Sequence, residues 1–495
     1  MLVLLALACT PNAPALAAPC AAEVTAPAWV LEGEPVTIVV RCTGPAVYEA
    51  TASGLPVGAS FDGRAITWTP GLDAAGTYPI AVFERPVTGG DAEVVALSID
   101  VVDAVDAPGD VPPDPGTYLR EFGLPVIHLF AESELMSEDV PATAWIDGSM
   151  HTGRMKIRGA SSSNYPKPGY AVTLDDKVNL DDWGLGTPDE LVLLTTFDDA
   201  SYVRQKLAFD LWAEMAEHQG VARLTPRTAF VVVYLNGGFH GLFVAADRVD
   251  ARFLADMGLD ATGPLYKSVN HDANFRRTNA YGDPKWTLHD GYELKEGVAD
   301  DWAALDALVA FTADSDAAAF ASGLSAYLDP TEFMDWYLFV RFASAGDSAG
   351  KNAYLYPEPP SGRVRYAPWD MNHSFGQDWR TIRVPADAAD DFRWPNEIFA
   401  RLQDDPTTHA ALAARWTDLT TGPFSAASLQ AHLDAYDAAI DPAARRDFDK
   451  WGPDYFSYGG WAGDRQSDFL DYDGERAYLA DWLAARAVWA DAVAP

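Results

Sequence analysis

"GDSAGKNAYLYPEPPSGRVRYAPWDMNHSFG" occupies residues 346 to 376 and decides how the rest of the chain is read. It reads as two buried strands, yet it carries Asp347 and Asn352 in the spacing Asp-x4-Asn, and "RYAPWD" delivers Asp370 at a strand end. In kinase phosphoryl transfer one Asp orients the acceptor hydroxyl and an Asn a few residues on holds a metal. A second Asp on the next strand links metal to phosphates. The spacing supplies all three roles. A chain this rich in Asp also produces such spacing by chance, and the competing reading has Asp347 capping a helix and Asp370 simply ending a strand.

Upstream, "GRMKIRGASSSNYPKPGYAVTL" sets a Ser- and Gly-rich turn between two strand-like runs. Backbone N–H groups of such a turn can face phosphate oxygens, and a Lys on the following strand can pair with them, which makes Lys167 the candidate. No Walker Gly-Lys-Ser/Thr pattern or full kinase Gly-rich motif is present. The alternative is an exposed hairpin loop in which Arg158 and Lys167 pair with surface acids. Asn236-Gly237 between "TAFVVVYL" and "FHGLFVAA" signals a hairpin turn. Val203, Leu207, Leu211 and Met215 recur every four residues and predict a helix that Gly220 ends. The C-terminal "ERAYLADWLAARAVWADAV" repeats that pattern. Strands come first and helices mostly later, so the fold class expected is α+β.

The chain has 495 residues, too many for one core, and 48% of them are apolar. Its 72 acidic against 35 basic residues give a formal charge of −37, which argues against nucleic acid and anionic membrane as partners. A polyanionic ligand would need locally placed Lys, Arg or metal ions.

The opening "MLVLLALACTPNAPALAAPC" has the apolar run and small residues of an export signal, without a basic n-region. Two processing readings stand: a lipoprotein box ending at Cys9, or cleavage near Ala17. On either, Cys20 and Cys42 remain as the sole cysteine pair, and a disulfide between them fits an oxidising compartment, with two free thiols as the alternative. Residues 1–19 are therefore expected to be a signal or lipoprotein segment of an exported, surface-anchored, secreted or periplasmic protein, touching membrane only through such an anchor.

From 20 to 103, short alternating runs such as "PVTIVVRC" and "TYPIAVF" between Gly and Pro clusters predict a small antiparallel sandwich. Residues 104–116, "AVDAPGDVPPDPG", read as a stiff linker. No Gly-x-Ser-x-Gly elbow appears, and the His residues near His373 lack zinc spacing.

The stretch "GLPVGASFDGRAITWTPGLDAAGTYPIAVF" resembles immunoglobulin-like domains of bacterial surface proteins, mostly spacers or adhesive modules. Over residues 117–495 an ordered series, "KIRGASSSNYPKPGYAVTL", "DDASYVRQKLAFDLW", "VYLNGGFHGLFVAADRVD", "GPLYK", "GDSAGKNAYLY", "APWDMNHSFG" and "YLADWLAARAVW", resembles the CotH kinase family, named for spore coat protein H.

The resemblance implies a two-lobed, atypical protein-kinase-like domain behind a small all-β immunoglobulin-like sandwich. It also implies transfer of the ATP γ-phosphoryl group, with Mg²⁺ or Mn²⁺, to hydroxyls of a protein substrate. Asp347 would be the catalytic Asp, Asn352 and Asp370 the metal-holding pair, and Lys167 the phosphate-pairing Lys. Arg158 and Arg204 match motif positions and are assigned to the cofactor side. Three positions depart from the family pattern: Asn372 replaces a second acid, Asp247 replaces Glu, and Val364 stands where many members carry an aromatic able to stack on adenine. The Asn372 and Val364 departures, together with an exported location where ATP is scarce, support the alternative of a catalytically inactive, kinase-like structural or adhesive surface protein. The sandwich would bind a surface polymer or protein on either reading.

Overall fold

The computed structural model describes residues 21–25, 30–31, 33, 35–43, 47–71, 74, 76–87, 92–102, 113–379, 381–461 and 469–493. The expected signal segment with Cys9, Cys20 and most of the linker lie outside the described residues, as does the side chain of Cys42. The chain divides into two units, residues 1–112 and 113–495.

The first unit is all β. Strands β1 (Ala21–Thr25), β2 (Val30–Leu31), β3 (Val36–Thr43), β4 (Tyr48–Ser53), β5 (Ser60–Phe61), β6 (Ala65–Trp68), β7 (Gly76–Pro86) and β8 (Glu93–Val102) form two four-stranded sheets. Their orders are β1-β3-β6-β5 and β2-β8-β7-β4. Alternation along each strand sends one face inward. Ile38 and Ile66 from the first sheet meet Ile80, Val82 and Ile99 from the second in a shared core.

The second unit mixes helices and sheets, as an α+β reading requires. It begins with β9 (Arg120–Glu121), β10 (Leu124–Ala131), β11 (Val140–Ile146), β12 (Ser149–Arg158), β13 (Gly169–Leu174) and β14 (Glu190–Leu194). Helix α1 (Arg204–His218), β15 (Thr228–Leu235) and β16 (Gly238–Asp247) follow. β10 pairs antiparallel with β11 and parallel with β15. These two pairings close β10, β11, β12, β13, β14, β16 and β15 into a ring.

The two-residue period of the strands gives the ring two apolar faces. Ile127, Leu129, Met155, Val172, Leu193 and Phe243 fill the inside. Val126, Val192, Val232 and Val244 join Leu207, Leu211 and Met215 of α1 in the main core. The spacing of four that predicts α1 is thus the stripe it buries, and Gly220, at φ +64°, follows its end. Asn236 and Gly237, at φ 51° and 86°, make the two-residue turn between β15 and β16.

A second, four-stranded sheet follows after α2 (Ala251–Asp256). Its strands are β17 (Leu265–Ser268), β18 (Tyr292–Glu296), β19 (Ala353–Glu358) and β20 (Arg363–Pro368), in the order β18-β17-β19-β20. Helices α3 (Ala303–Asp314), α4 (Ala317–Tyr327) and α5 (Pro330–Ala343) come between β18 and β19. Helices α6 (Glu397–Asp404), α7 (Pro406–Thr421), α8 (Ala426–Ser457) and α9 (Tyr472–Ala492) complete the unit. No described helix is long and apolar enough to cross a membrane.

Candidate functional site

The end of the four-stranded sheet places three chemically distinct groups side by side. Ala353 of β19 pairs with Pro368 of β20, so the residues flanking them, Asn352 and Trp369, are neighbours. The Trp369 N–H donates to the Asn352 carbonyl at 3.2 Å, and the Asn352 N–H donates to the Ser268 carbonyl at 3.0 Å. This register brings Asn352, Asp370 and the Lys267–Ser268 end of β17 to one end of the sheet. Asn352 and Asp370 sit at φ 58° and 56°, in the left-handed region that non-glycine residues seldom occupy. Such backbone persists only where surroundings over-determine it, which is common at functional sites.

Asp347 lies on the short turn after α5. Its carboxylate accepts from Asn352 Nδ2 at 3.0 Å and pairs with Lys351 Nζ at 2.8 Å. It caps no helix. Ser348 Oγ donates to the Asp370 carbonyl at 3.2 Å and so fastens this turn to the end of β20. Asn352 turns its Nδ2 toward Asp347, leaving its acceptor oxygen on the other side of the amide.

Opposite stands the turn between β12 and β13. Arg158 ends β12, and Gly159, Ala160, Ser161 and Ser162 continue along a cleft of about 680 Å³ that also has Asp347, Asn352 and Asp370 in its wall. Gly159 is obligatory here. Its φ is +111°, and a Cβ would stand 2.1 Å from Ser162 Oγ. The Arg158 guanidinium lies 5.4 Å from the centre of the Trp369 ring, within cation–π range. Burial pushes it below its ordinary value, with Tyr354 and Asp370 pulling the other way.

Two of the cations expected in the cleft are elsewhere. Lys167, two residues before β13, is wholly buried, and its Nζ donates to Asp447 Oδ1 at 2.5 Å, the Leu242 carbonyl at 2.6 Å and Thr196 Oγ1 at 2.8 Å. All three ammonium protons are used, and Lys167 is not part of the cleft wall, so the phosphate-pairing assignment is corrected. Its role is to join the ring to α8. Arg204 is likewise fully buried, pairing with Asp199 at 2.5 Å and Glu475 at 2.6 Å. The Asp-x-Ser-x-x-Arg motif is therefore a clamp at the start of α1, and the cofactor assignment for Arg204 is corrected too. Val364 is buried in the core, where Leu328 bridges to it, so an aromatic at that position would not face the cleft. Asp247 is held by Arg227 at 2.6 Å and Arg252 at 3.4 Å.

The amine that does line the cleft is Lys267, on β17 between Glu293 of β18 and Tyr354 of β19. Burial and then the Arg158 charge push it down to about 8, against the pull of Asp370. The signal for it was present in "GPLYK", a strand-borne Lys ahead of Asp347, but nothing local separates it from Lys167. Asp198, in the segment after β14, was also missed. It is buried, lines the same cleft, and accepts from Asn372 Nδ2 at 2.5 Å and His373 Nε2 at 3.1 Å. Burial lowers the His373 imidazole, but the Asp198 hydrogen bond and charge, with Asp370 and Asp347 behind, outweigh it and raise its pKa.

Among the described residues no three His, Cys, Asp or Glu side chains form a group able to hold a metal ion. That is compatible with Mg²⁺, which is ordinarily held by one or two carboxylates, waters and substrate phosphates and not by an all-protein cage. Asp198 Oδ1 and Asn372 Oδ1 are buried acceptors without a donor, and both residues line the cleft. The oxygen-rich wall therefore suits a hard divalent cation.

Among solved structures, the D00-D0 domain of intimin covers 28% of this chain and 75% of its own, at 11% identity and a TM-score of 0.14. The SrpA adhesin from Streptococcus sanguinis covers 28% and 92%, at 12% identity and a TM-score of 0.16. Likenesses that low bear on neither fold nor function. The inner spore coat protein H of Bacillus subtilis (strain 168) is 28% identical over 217 residues, which are 44% of this chain and 58% of that protein. The match thus spans little more than half of the relative's length. The family described as CotH kinase protein matches residues 155–490, most of the second unit, and the chain belongs to that family.

Proposed function

We propose that this protein is an exported, surface-associated protein kinase that transfers the ATP γ-phosphoryl group to hydroxyls of a protein substrate. The observation carrying this reading is the cleft that gathers Asp347, Asn352, Asp370, Lys267 and Arg158 between the β12–β13 turn and the end of the four-stranded sheet. In kinase terms the ring and the second sheet with its helices would be the two lobes. The N-terminal unit would be an immunoglobulin-like module on a Pro-rich tether, binding a surface polymer or protein.

Asp347 orients the acceptor hydroxyl and draws its proton; the Asn352 amide and the Lys351 ammonium hold its carboxylate in place. Asn352 and Asp370 hold Mg²⁺ or Mn²⁺, which when bound neutralises developing phosphate charge. Lys267 and Arg158 face the phosphates, the part first given to Lys167. The rival reading, an inert scaffold, draws on Asn372 standing where an acid is usual.

The test is incubation of the full chain with γ-labelled ATP and Mn²⁺ or Mg²⁺ and an acceptor protein, beside Asp370→Ala. Label that vanishes in the variant supports a kinase. Absence of both label and metal-dependent ATP binding sinks the assignment in favour of the scaffold.

The lowered Lys267 pKa also predicts a pH dependence. Below about 8 the amine is charged and attracts phosphate; above it the charge is lost. Affinity for a non-hydrolysable ATP analogue should therefore fall several-fold, on the order of one charge-assisted hydrogen bond, between pH 7 and 9. Calorimetric titration would show this, with Lys267→Met giving a flatter profile.

A further inference from the structure

Asp198 is a carboxylate with two unequal oxygens. Oδ2 accepts from Asn372 Nδ2 at 2.5 Å, His373 Nε2 at 3.1 Å and the Tyr165 hydroxyl at 3.3 Å. Oδ1 is buried and meets no donor. The backbone is fixed as well, since Gln377 Nε2 donates to the Asp198 carbonyl at 2.6 Å. Asn372 turns its Nδ2 to the carboxylate, so its own Oδ1 faces the other way, and that oxygen too is buried without a donor. Both residues line the cleft and are over nine-tenths buried.

Buried acceptors are almost always satisfied, and each exception calls for a partner. Two exceptions on residues that line one cleft, one of them anionic, call for something positive. The other carboxylates of the cleft bear on which partner fits. Asp347 is paired with Lys351, whereas Asp370 has no ion pair among the described residues. The Tyr165 hydroxyl and the His373 imidazole each feel the charge of both Asp198 and Asp370.

We infer that Asp198 Oδ1 and Asn372 Oδ1 are ligands for a divalent cation, a protein half-site in the cleft that Asn352 and Asp370 also line. Tyr165 and His373 are then the outer hydrogen-bonding residues that orient the ligating carboxylate, as such groups commonly do in metal sites. Asn372 is not a missing acid on this view. The charge absent from position 372 is brought to the same place by Asp198, from the segment after β14. The inference rests on the phosphotransfer reading for the reason the cation is there, but the binding itself is testable without any turnover. A bridging water would also satisfy both oxygens, and the experiment separates the two.

Mn²⁺ binding to the full chain would be followed by loss of the free-ion paramagnetic resonance signal, with and without a non-hydrolysable ATP analogue. The proteins are wild type, Asp198→Asn, Asn372→Asp and Asp370→Ala. Asp198→Asn, nearly isosteric and still able to hydrogen-bond, should weaken Mn²⁺ at least tenfold while near-ultraviolet dichroism stays native. Affinity unchanged within about twofold in a folded Asp198→Asn protein overturns the inference. If Asp370→Ala then still loses Mn²⁺, the kinase reading survives that failure. Mn²⁺ that binds the wild type under neither condition overturns the inference and also removes the metal from the kinase reading.

Should Asp198→Asn fail to fold, Asn372→Asp decides. It sets two carboxylates against each other, so Mn²⁺ should raise its melting temperature by more than it raises that of wild type. An equal or smaller rise overturns the inference.

Discussion

Lys267→Met should leave the melting temperature of the protein nearly unchanged and cut phosphoryl transfer about 10²–10³-fold, the usual cost of removing one preorganised charge stabiliser. Lys167→Met should do the reverse. Its ammonium has three buried acceptors and no route to the cleft, and Asp447, which it pairs with, is itself 1% exposed. Removing one partner of a buried pair strands the other charge, at about 3–5 kcal/mol. The measurement is thermal and urea unfolding of both variants, with labelled transfer on whichever remains folded. If Lys167→Met folds normally and loses activity while Lys267→Met keeps it, the reassignment made here is wrong.

The two lysines show what a sequence can and cannot say about such a site. Their local settings are alike, each next to a strand and near aromatic residues. What separates them is distant: Asp447, 280 residues further on in α8, meets Leu242 of β16 and consumes the first amine, while β18 and β19 flank the second. Pairing across that distance leaves no periodic trace.

Asp347, Asn352 and Asp370 were legible because their arrangement is local. A turn, a strand, a second turn and a returning strand set them side by side through one antiparallel register. The Asn236-Gly237 hairpin and the stripe of α1 were legible for the same reason. Asp198 was not: it opens "DDASYVRQKLAFDLW" beside Asp199, and nothing local tells the carboxylate that lines the cleft next to Asn372 from the one that pairs with Arg204. The closure of the first seven-stranded ring was also hidden, because the parallel pairing of β10 with β15 joins segments about a hundred residues apart. Val364 shows the converse error: a position judged by its likeness to a binding aromatic proves to face the core.

Arg204→Met should destabilise the protein by about 3–5 kcal/mol, because one guanidinium serves two buried carboxylates. Asp199 Oδ1 takes Arg204 Nη1 at 2.5 Å and Oδ2 takes the Arg204 backbone N–H at 2.9 Å, so the same Asp caps the first turn of α1. Glu475, at the start of α9, takes Nη2 at 2.6 Å and is shared with Arg383. Arg204 is thus the tie between the first and last helices of the unit.

The pH dependence gives the test its sign. Burial raises the Glu475 carboxyl, but Arg204 and Arg383 outweigh it and hold it below the ordinary value. A carboxyl lowered on folding stabilises above its unfolded pKa, and that stability is lost as pH falls through the folded value. Wild type should accordingly weaken on acidification. In Arg204→Met, Glu475 keeps only Arg383, so its protonation becomes less costly, and the gap between variant and wild type should narrow from pH 7 to pH 5. Urea midpoints at the two pH values measure that gap. A gap that is small at pH 7, or that widens toward pH 5, would show that Arg204 does not hold the two carboxylates and would reopen its place beside the cleft.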